Sequence, residues 1–277
     1  MAGSGETARN GAAGCVGVVS CRAVQRRSGS RPVGDTGRLL QCTAMPPGPR
    51  TSVSVVIPVH NEADYLPAAI DRLYREVDAV DADIEVVLVE NGSTDDTAEV
   101  VTRLAAERQT LRLLRLDVAD YGAAMREGFL TTSGEWVVNF DIDYFSGEFL
   151  AGAIRRDDAD LVLASKRAEG SEDRRSFFRR TATWGFNVLL RTVLDSGVSD
   201  THGMKAIRRK VVDDVGPEVA STEDLFDTEL VVRAERAGYR IVEVPVIVQE
   251  ERDSRSKLLR RVPRTIRGLW VIRRNLG

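Results

Sequence analysis

Hydrophobic positions follow two alternating spacings from residue 52 onward. Short β-branched runs, SVSVVIPV over 52–59 and IEVVLVEN over 84–91, are typical of buried parallel strands. Between them, 63–77 has apolar residues at helical spacing, with Pro67 in its first turn. The same alternation predicts further strands over 111–116, 135–143 and 160–167 and helices over 95–108, 121–132 and 147–156. It predicts an α/β fold, a doubly wound, mostly parallel sheet with helices on both faces.

The pattern is weaker beyond residue 168 but still readable. We predict a polar, basic loop over 168–180, a helix over 181–194, a strand over 201–209, a helix over 228–240 and a last strand over 241–248. One catalytic domain over 51–250 accommodates all of these elements.

The two ends of the chain differ from this body in composition. Residues 1–50 carry seven arginines against two acids and are rich in Gly, Ser and Pro, which predicts a disordered basic extension. All three cysteines lie within it, so none can staple the body. As a hypothesis, translation starts at Met45, and most of this extension is then not made. Because the formal net charge is −3, the body must be acidic, which argues against a nucleic-acid-binding surface.

The last segment, 251–277, holds nine Lys or Arg against two acids, and Leu, Val, Ile and Trp alternate with Arg. This basic amphipathic pattern fits a helix in a membrane interface, with Trp270 in the lipid and Arg reaching water. A surface helix packed on the body is the other interpretation. Pro263 should break or kink either one. No stretch reaches the roughly 18 apolar residues that a membrane span needs.

Polar residues collect where the predicted strands end. Asp141 and Asp143 follow the fourth strand, and Mg²⁺ or Mn²⁺ is typically held by one or two carboxylates together with substrate phosphates. Since ligands of such sheets bind outside the carboxyl ends of the strands, we expect a cation and a diphosphate there. A turn with two solvated Asp is the plain alternative.

Two other strand ends carry candidate nucleoside ligands. Glu90 closes the second strand, where an acid can accept hydrogen bonds from a base or from ribose hydroxyls. Asn61 and Glu62 follow the first strand. The alternative for residues 93–96 is a helix cap, with Ser or Thr at the cap and Asp in the first turn. The sequence contains neither GxxxxGK[ST] nor GxGxxG.

Several segments together resemble a known family. PVHNE, VENGSTDDT, DYGAAMREGF, FDID, DTHGMKAIRR and FDTELVVRAERAGYRIVEVPV are similar to family 2 glycosyltransferases of the GT-A fold. The last two resemble in particular the polyprenyl-phosphate sugar synthases, the group that includes dolichyl-phosphate mannose synthase. The resemblance covers about 52–260 and implies an enzyme, a hexosyltransferase that acts peripherally at the cytoplasmic face of a membrane.

The resemblance also implies substrates and residues. The donor would be a GDP- or UDP-sugar and the acceptor a polyprenyl phosphate, with inversion at the anomeric carbon and Mg²⁺ or Mn²⁺ as cofactor. The donor would contact Pro58, Asn61, Glu62, Glu90, Gly122 and Asp141, and the metal would be held by Asp141 and Asp143. An anionic acceptor needs cationic hosts, and the candidates are Arg174, Arg175, Arg252, Ser256 and Lys257.

Departures from the family pattern keep two alternatives open. Asp120-Tyr121-Gly122 stands where relatives often have Gly-Lys, and Tyr144-Phe145 follows the Asp pair where many have Leu-Gln. A soluble transferase onto a hydroxyl is the first alternative, and it would use an acidic base such as Asp224. A catalytically silent nucleotide-sugar-binding protein is the second.

Overall fold

The computed structural model describes residues 50–166, 168–173, 177–222, 225–248 and 258–276. The predicted extension over 1–50 therefore lies almost wholly outside the described residues. The strands are β1 Ser52–Val59, β2 Asp83–Asn91, β3 Leu111–Leu116, β4 Trp136–Asn139, β5 Leu161–Ser165, β6 Glu172–Asp173, β7 Lys205–Arg208, β8 Ile241–Pro245 and β9 Ile247–Val248. The helices are α1 Leu66–Val77, α2 Thr97–Glu107, α3 Tyr121–Leu130, α4 Gly147–Ile154, α5 Phe177–Leu194, α6 Arg209–Val215, α7 Phe226–Arg236 and α8 Leu258–Asn275.

A seven-stranded sheet in the order β3-β2-β1-β4-β7-β5-β8 forms the centre of the fold. Its neighbouring strands are parallel except at β7, which runs antiparallel to both β4 and β5. The prediction of a mostly parallel sheet is confirmed. Because β7 is antiparallel, its first residue lies at the edge where β4 and β5 end.

Side chains of the buried strands alternate between two apolar layers. Val55 and Ile57 of β1 pack with α1, α2 and α4 in one cluster. Val56, on the opposite face, packs with α3, α6 and α7 in another. This period-two alternation explains why nearly every residue of these strands is apolar. Helices on both faces are confirmed, which leaves the ends of the strands as the open edges of the sheet.

Helices α5 and α8 form a further layer with α7. Leu190 and Leu194 of α5 are fully buried against Leu269 and Ile272 of α8. Pro263 does not break α8, since the helix runs from Leu258 to Asn275 with Pro263 inside it, and a kink at that residue stays a prediction. The interpretation of α8 as a helix packed on the body is correct for its buried face.

Several other boundaries differ from the predictions, and three of them concern the surroundings of the strand ends. The strand predicted over 135–143 ends at Asn139, because the chain turns at Asp141. The strand predicted over 201–209 is confined to Lys205–Arg208, and 201–204 is a loop. The loop predicted over 168–180 contains β6 and the start of α5. Each error falls on a polar segment, where hydrophobic spacing carries little information.

Candidate functional site

A tight turn places two carboxylates at the carboxyl end of β4. Asp141 N donates to the Tyr144 carbonyl at 3.2 Å, and Tyr144 N returns a bond to the Asp141 carbonyl at 3.0 Å. Ile142, between the two acids, is buried in the core. Asp141 is exposed and Asp143 half-buried. The sequence Asp-Ile-Asp thus anchors the turn by its apolar residue and turns the acids away from the core.

Aromatic packing holds this turn in place. The Phe140 ring lies 6.4 Å from the rings of both Phe145 and Phe149. The Arg72 guanidinium of α1 lies 4.6 Å from the Phe145 ring centroid, and its Nη2 donates to the Asp143 carbonyl at 3.5 Å. The turn is therefore fixed from both sides, as a ligand-binding turn needs to be.

The Asp141 carboxyl stands in an unfavourable place for a negative charge. Although the residue is exposed, neighbouring protein atoms partly desolvate its carboxyl, and this desolvation raises its pKa to about 6. The charges of Asp227 and Asp143 raise the pKa further, whereas Lys205 and Lys166 oppose the rise. A bound cation would relieve this strain, so the electrostatics of the turn suit a metal ion.

Hydrogen bonds tie the ends of β1 and β2 together. Asn61, in the left-handed region with φ 54°, donates its backbone N–H to Ser93 Oγ at 3.0 Å. Its side-chain oxygen accepts from the Thr94 backbone N–H at 2.8 Å. His60 Nδ1 lies 2.7 Å from the Asn91 carbonyl. The polar residues after the two strands therefore form one cluster, as predicted from the strand ends.

These bonds also answer the question of the helix cap. Ser93 and Thr94 bond to Asn61 and do not cap α2. Asp95 Oδ1 instead accepts from Thr97 N at 3.1 Å, and the hydrogen bonds it receives hold its pKa below the usual range. The predicted Ser or Thr cap is wrong, while Asp95 does serve the first turn of the helix.

Glu90 lies deeper than the sequence suggests. Only 1% of its surface is exposed, and its Oε1 accepts from the Ser93 backbone N–H at 2.6 Å. Its Oε2 is paired with Arg115 Nε at 3.4 Å. Gly92 has φ 59°, and a Cβ there would lie 2.5 Å from Ala119 N. Glu90 thus shapes the loop after β2, and its contact with a nucleoside stays a prediction.

The start of α3 joins the same edge of the sheet. Asn91 Oδ1 accepts from the Asp120 backbone N–H at 2.7 Å, and the Asp120 side chain caps α3 by accepting from Ala123 N at 3.0 Å. Gly122 is buried in the first turn of α3, and Pro58 is half-buried opposite Val89. Glu62 donates its backbone N–H to Thr97 Oγ1 at 2.9 Å. The predicted donor residues therefore lie at the carboxyl ends of β1 and β2, in the loop after β1 and in the first turn of α3.

Sequence reasoning missed a buried ion pair beside Asp141. Lys205 begins β7 opposite Asn139, and its Nζ lies 3.0 Å from Asp227 Oδ1 of α7. Only 1% of Lys205 and 3% of Asp227 is exposed. A lysine in the apolar context MKAI was the available signal, because a buried charge requires a partner. The identity of the partner depends on the fold.

A second missed lysine lies at the end of β5. Lys166 Nζ is 3.8 Å from Asp200 Oδ2, and only 15% of the Lys166 side chain is exposed. Asp200 also accepts from the His202 backbone N–H at 3.1 Å, so the loop before β7 packs beside Lys166. The Lys166 charge acts on Asp141. Cationic and anionic groups thus share this edge of the sheet.

Six predicted residues fall outside the described part of the chain. They are the base candidate Asp224 and the phosphate-binding candidates Arg174, Arg175, Arg252, Ser256 and Lys257. Their roles stay predictions.

Comparison with known proteins identifies the family. The family model described as glycosyl transferase family 2 matches residues 54–216, more than half of the chain. This chain belongs to glycosyl transferase family 2. The match begins in β1 and extends past β7, so it contains the polar cluster after β1 and β2 and the Asp141 turn.

Relatives and solved structures agree with this family. The chain is 31% identical over 216 residues to glycosyltransferase AglD of Haloferax volcanii, covering 75% of this chain and 35% of that protein. It is 27% identical to the dolichyl-phosphate beta-glucosyltransferase of Dictyostelium discoideum, covering 70% of this chain and 65% of that one. The chain thus spans about one third to two thirds of these relatives' lengths.

The fold also matches that of a solved mannosyltransferase. A mannosyltransferase of Pyrobaculum calidifontis, solved with GDP-Man and Mn²⁺, matches with a TM-score of 0.55 and 24% identity, over 78% of this chain and 61% of that one. The predicted GT-A fold is confirmed.

The side chains at the Asp141 turn supply only some of the ligands that a divalent cation needs. Among the described residues, no group of three or more acidic, His or Cys side chains is arranged to hold a metal. Asp141 and Asp143 supply carboxylate oxygens, which Mg²⁺ and Mn²⁺ accept. The remaining positions would be filled by water and by the oxygens of a diphosphate, as is usual for Mg²⁺.

Proposed function

We propose that this glycosyltransferase moves a sugar from a GDP- or UDP-sugar to a polyprenyl phosphate, with Mg²⁺ or Mn²⁺ held by Asp141 and Asp143. The observation that carries the proposal is the turn after β4. There an Asp pair at the open edge of the sheet stands beside two lysines, and desolvation and neighbouring acids raise the pKa of Asp141 to about 6. In a turn with two fully solvated Asp side chains, desolvation would not raise the pKa of either carboxyl.

Different residues at this edge of the sheet would bind the nucleoside and the cation. The nucleoside would be held by the carboxyl ends of β1 and β2, the loop after β1 and the first turn of α3, through Pro58, Glu90, Asn61, Glu62 and Gly122. Asp141 and Asp143 would hold the cation, which when bound neutralises the charge of the departing diphosphate. Attack from the face opposite that leaving group inverts the anomeric carbon.

The acceptor side of the site is cationic. Lys166 lies at the end of β5, beside the loop that leads into β7, and its charge reaches Asp141. We assign it to the acceptor phosphate or to the diphosphate, together with the predicted Arg174, Arg175, Arg252, Ser256 and Lys257. A phosphate acceptor is already an anion near neutral pH, so this reaction needs no strong general base.

A lipid acceptor implies contact with a membrane surface. No helix in the described ranges is long and apolar enough to cross a membrane. Helix α8 buries Leu269 and Ile272 against the body but leaves Trp270 54% and Val271 48% exposed. Arginines flank these side chains in the sequence, the arrangement expected of a helix that lies on an anionic surface. We propose peripheral association with the cytoplasmic face of a membrane through this exposed side of α8.

The test is a transfer assay with the full chain. GDP-mannose and UDP-glucose are supplied as radiolabelled donors, with undecaprenyl phosphate, with 3-phosphoglycerate or with water as the acceptor. We expect a labelled lipid, lost on addition of EDTA and in Asp141→Asn but retained in Asp158→Asn, whose carboxyl is exposed at the opposite edge of the sheet. Label on 3-phosphoglycerate, which offers a hydroxyl group, and not on the lipid would mean that the acceptor is a soluble hydroxyl compound. Binding of the nucleotide sugar without label on any acceptor would identify a catalytically silent protein.

A further inference from the structure

A hydrogen-bond network through His60 links the loop after β1 to the end of β2. His60 Nδ1 lies 2.7 Å from the carbonyl of Asn91, the last residue of β2, and His60 Nε2 lies 3.0 Å from Asn61 Nδ2. Asn61 Oδ1 in turn accepts from the Thr94 backbone N–H at 2.8 Å. The network therefore starts at the end of β2, passes through two side chains of the neighbouring loop and returns to the loop that follows β2.

The two ends of this network fix the position of every proton within it. A backbone carbonyl can only accept, so His60 Nδ1 must carry the proton that faces Asn91. A backbone N–H can only donate, so the Asn61 oxygen faces Thr94 and the Asn61 amide nitrogen faces His60. Since a proton on Nε2 would set two donors against each other, Nε2 must be unprotonated. The network is complete only with a neutral imidazole in the Nδ1–H tautomer.

Asn61 depends on such contacts because of its backbone conformation. Its φ is 54°, in the left-handed region that favours glycine. Its backbone N–H donates to Ser93 Oγ at 3.0 Å, and its side chain bonds to Thr94 on one side and to His60 on the other. A conformation of this kind persists only where neighbouring groups hold it. Loss of the His60 contacts should therefore lower the fraction of molecules in which Asn61 has this conformation.

We infer that His60 positions Asn61 for the nucleotide, through an imidazole whose Nδ1 donates and whose Nε2 accepts. The inference rests on the proposed function, in which Asn61 contacts the nucleoside, and adds a positioning residue to it. His60 acts through its two hydrogen bonds and not through its aromatic ring. Because a ligand that needs one conformer binds more weakly as that conformer is depleted, loss of these bonds weakens nucleotide binding.

Three substitutions at His60 test the inference through nucleotide affinity. Each variant and the wild type are titrated calorimetrically, as the full chain, with GDP and with UDP in Mn²⁺. His60→Asn keeps a donor in the place of Nδ1, and His60→Gln keeps an acceptor in the place of Nε2, so each should bind the nucleotide about threefold more weakly. His60→Phe keeps an aromatic ring and neither hydrogen bond, so it should bind about tenfold more weakly.

The order of these affinities separates the hydrogen bonds from other roles of the side chain. If the ring acted only by packing or stacking, His60→Phe would be the closest of the three to the wild type. Tyr74→Phe is the matched control, because it removes one side-chain hydrogen bond, to Thr110 Oγ1 at 3.0 Å, beside the amino end of β3. Its nucleotide affinity should equal that of the wild type.

Nuclear magnetic resonance gives a reading that does not depend on nucleotide binding. The sequence contains two histidines, so a long-range ¹H–¹⁵N spectrum of the full chain with ¹⁵N-labelled histidine shows two imidazoles, and His60→Phe identifies one of them. At about pH 8, where histidine side chains are ordinarily neutral, His60 should carry its proton on Nδ1. A proton on Nε2 instead would overturn the inference.

The outcomes distinguish the inference from the proposed function. Wild-type protein that binds neither nucleotide in Mn²⁺ would overturn both. Wild-type protein that binds a nucleotide no more tightly than His60→Phe does would overturn the inference alone. The expected order of affinities, together with the Nδ1–H tautomer, supports it.

Discussion

Replacement of Asp141 by Asn should stabilise the metal-free protein while abolishing its response to metal. The pKa of Asp141 in the folded state is raised from 3.8 to about 6 by desolvation and by neighbouring acids. The folded state therefore binds this proton more tightly than the unfolded state does. Its contribution to stability is complete below pH 4 and is lost as the pH rises through about 6. Asparagine has no charge to desolvate, so it does not incur that loss.

The magnitude follows from the shift. A change of about two pKa units corresponds to about 3 kcal/mol. The Asp141 side chain is exposed, however, and solvent screening reduces this to about 1 kcal/mol. For a folded body of this size, that raises the midpoint of thermal unfolding at pH 7 by about 3 °C.

Urea unfolding in EDTA at pH 7 and pH 4 provides the assay. We expect Asp141→Asn to exceed the wild type by about 1 kcal/mol at pH 7 and to equal it at pH 4. With Mn²⁺ and GDP or UDP, the wild type should gain stability and the variant should not. A variant that is less stable than the wild type at pH 7 in EDTA would refute the reasoning, since Asp141 would then be an ordinary stabilising residue.

Three further predictions concern other parts of the chain. Asp160→Asn should lose about 2 kcal/mol in urea unfolding at pH 7, because its hydrogen bonds with Arg240 are charge-assisted. Those bonds hold the Asp160 pKa well below its usual range, so the difference should begin to decrease only as the pH falls below about 4 and should still be measurable at pH 3; a difference that has already vanished at pH 3 would contradict this. Gly92→Ala should cost about 2 kcal/mol by the same measurement, since φ is 59° and a Cβ meets backbone at 2.5 Å, and unchanged stability would count against the loop geometry. Trp270→Ser should reduce sedimentation with anionic vesicles at least threefold without a change in stability, and unaltered sedimentation would remove α8 from the proposed membrane contact.

The sheet was predictable because its strands are buried on both faces. Val55, Val56 and Ile57 belong to two apolar layers, so the run is continuous and hard to mistake. The direction of β7 was not predictable, since the apolar pattern of KAI is the same for parallel and antiparallel strands. The path of α8 through Pro263 depends on contacts of Leu269 and Ile272 with distant α5.

The candidate site was also predictable only in part from the sequence. Asp141 and Asp143 stood out because charge seldom follows a buried strand without a reason. Lys205 and Asp227 are separated by a loop, a strand and a helix along the chain, and only folding brings them within 3.0 Å. The sequence also predicted a nucleoside contact for Glu90, which stays a prediction, but it did not predict that the Glu90 carboxylate bonds to the Ser93 backbone and pairs with Arg115.

On the proposed function, the Asp141 turn binds a nucleoside diphosphate through a divalent cation. The most direct measurement is isothermal titration of the full chain, wild type and Asp141→Asn, with GDP and UDP, each with Mn²⁺ and with EDTA. We expect the wild type to bind one of the two nucleotides in Mn²⁺, and we expect this binding to be lost in EDTA and in the variant. Binding of equal strength in EDTA, or in Asp141→Asn with Mn²⁺, would contradict it.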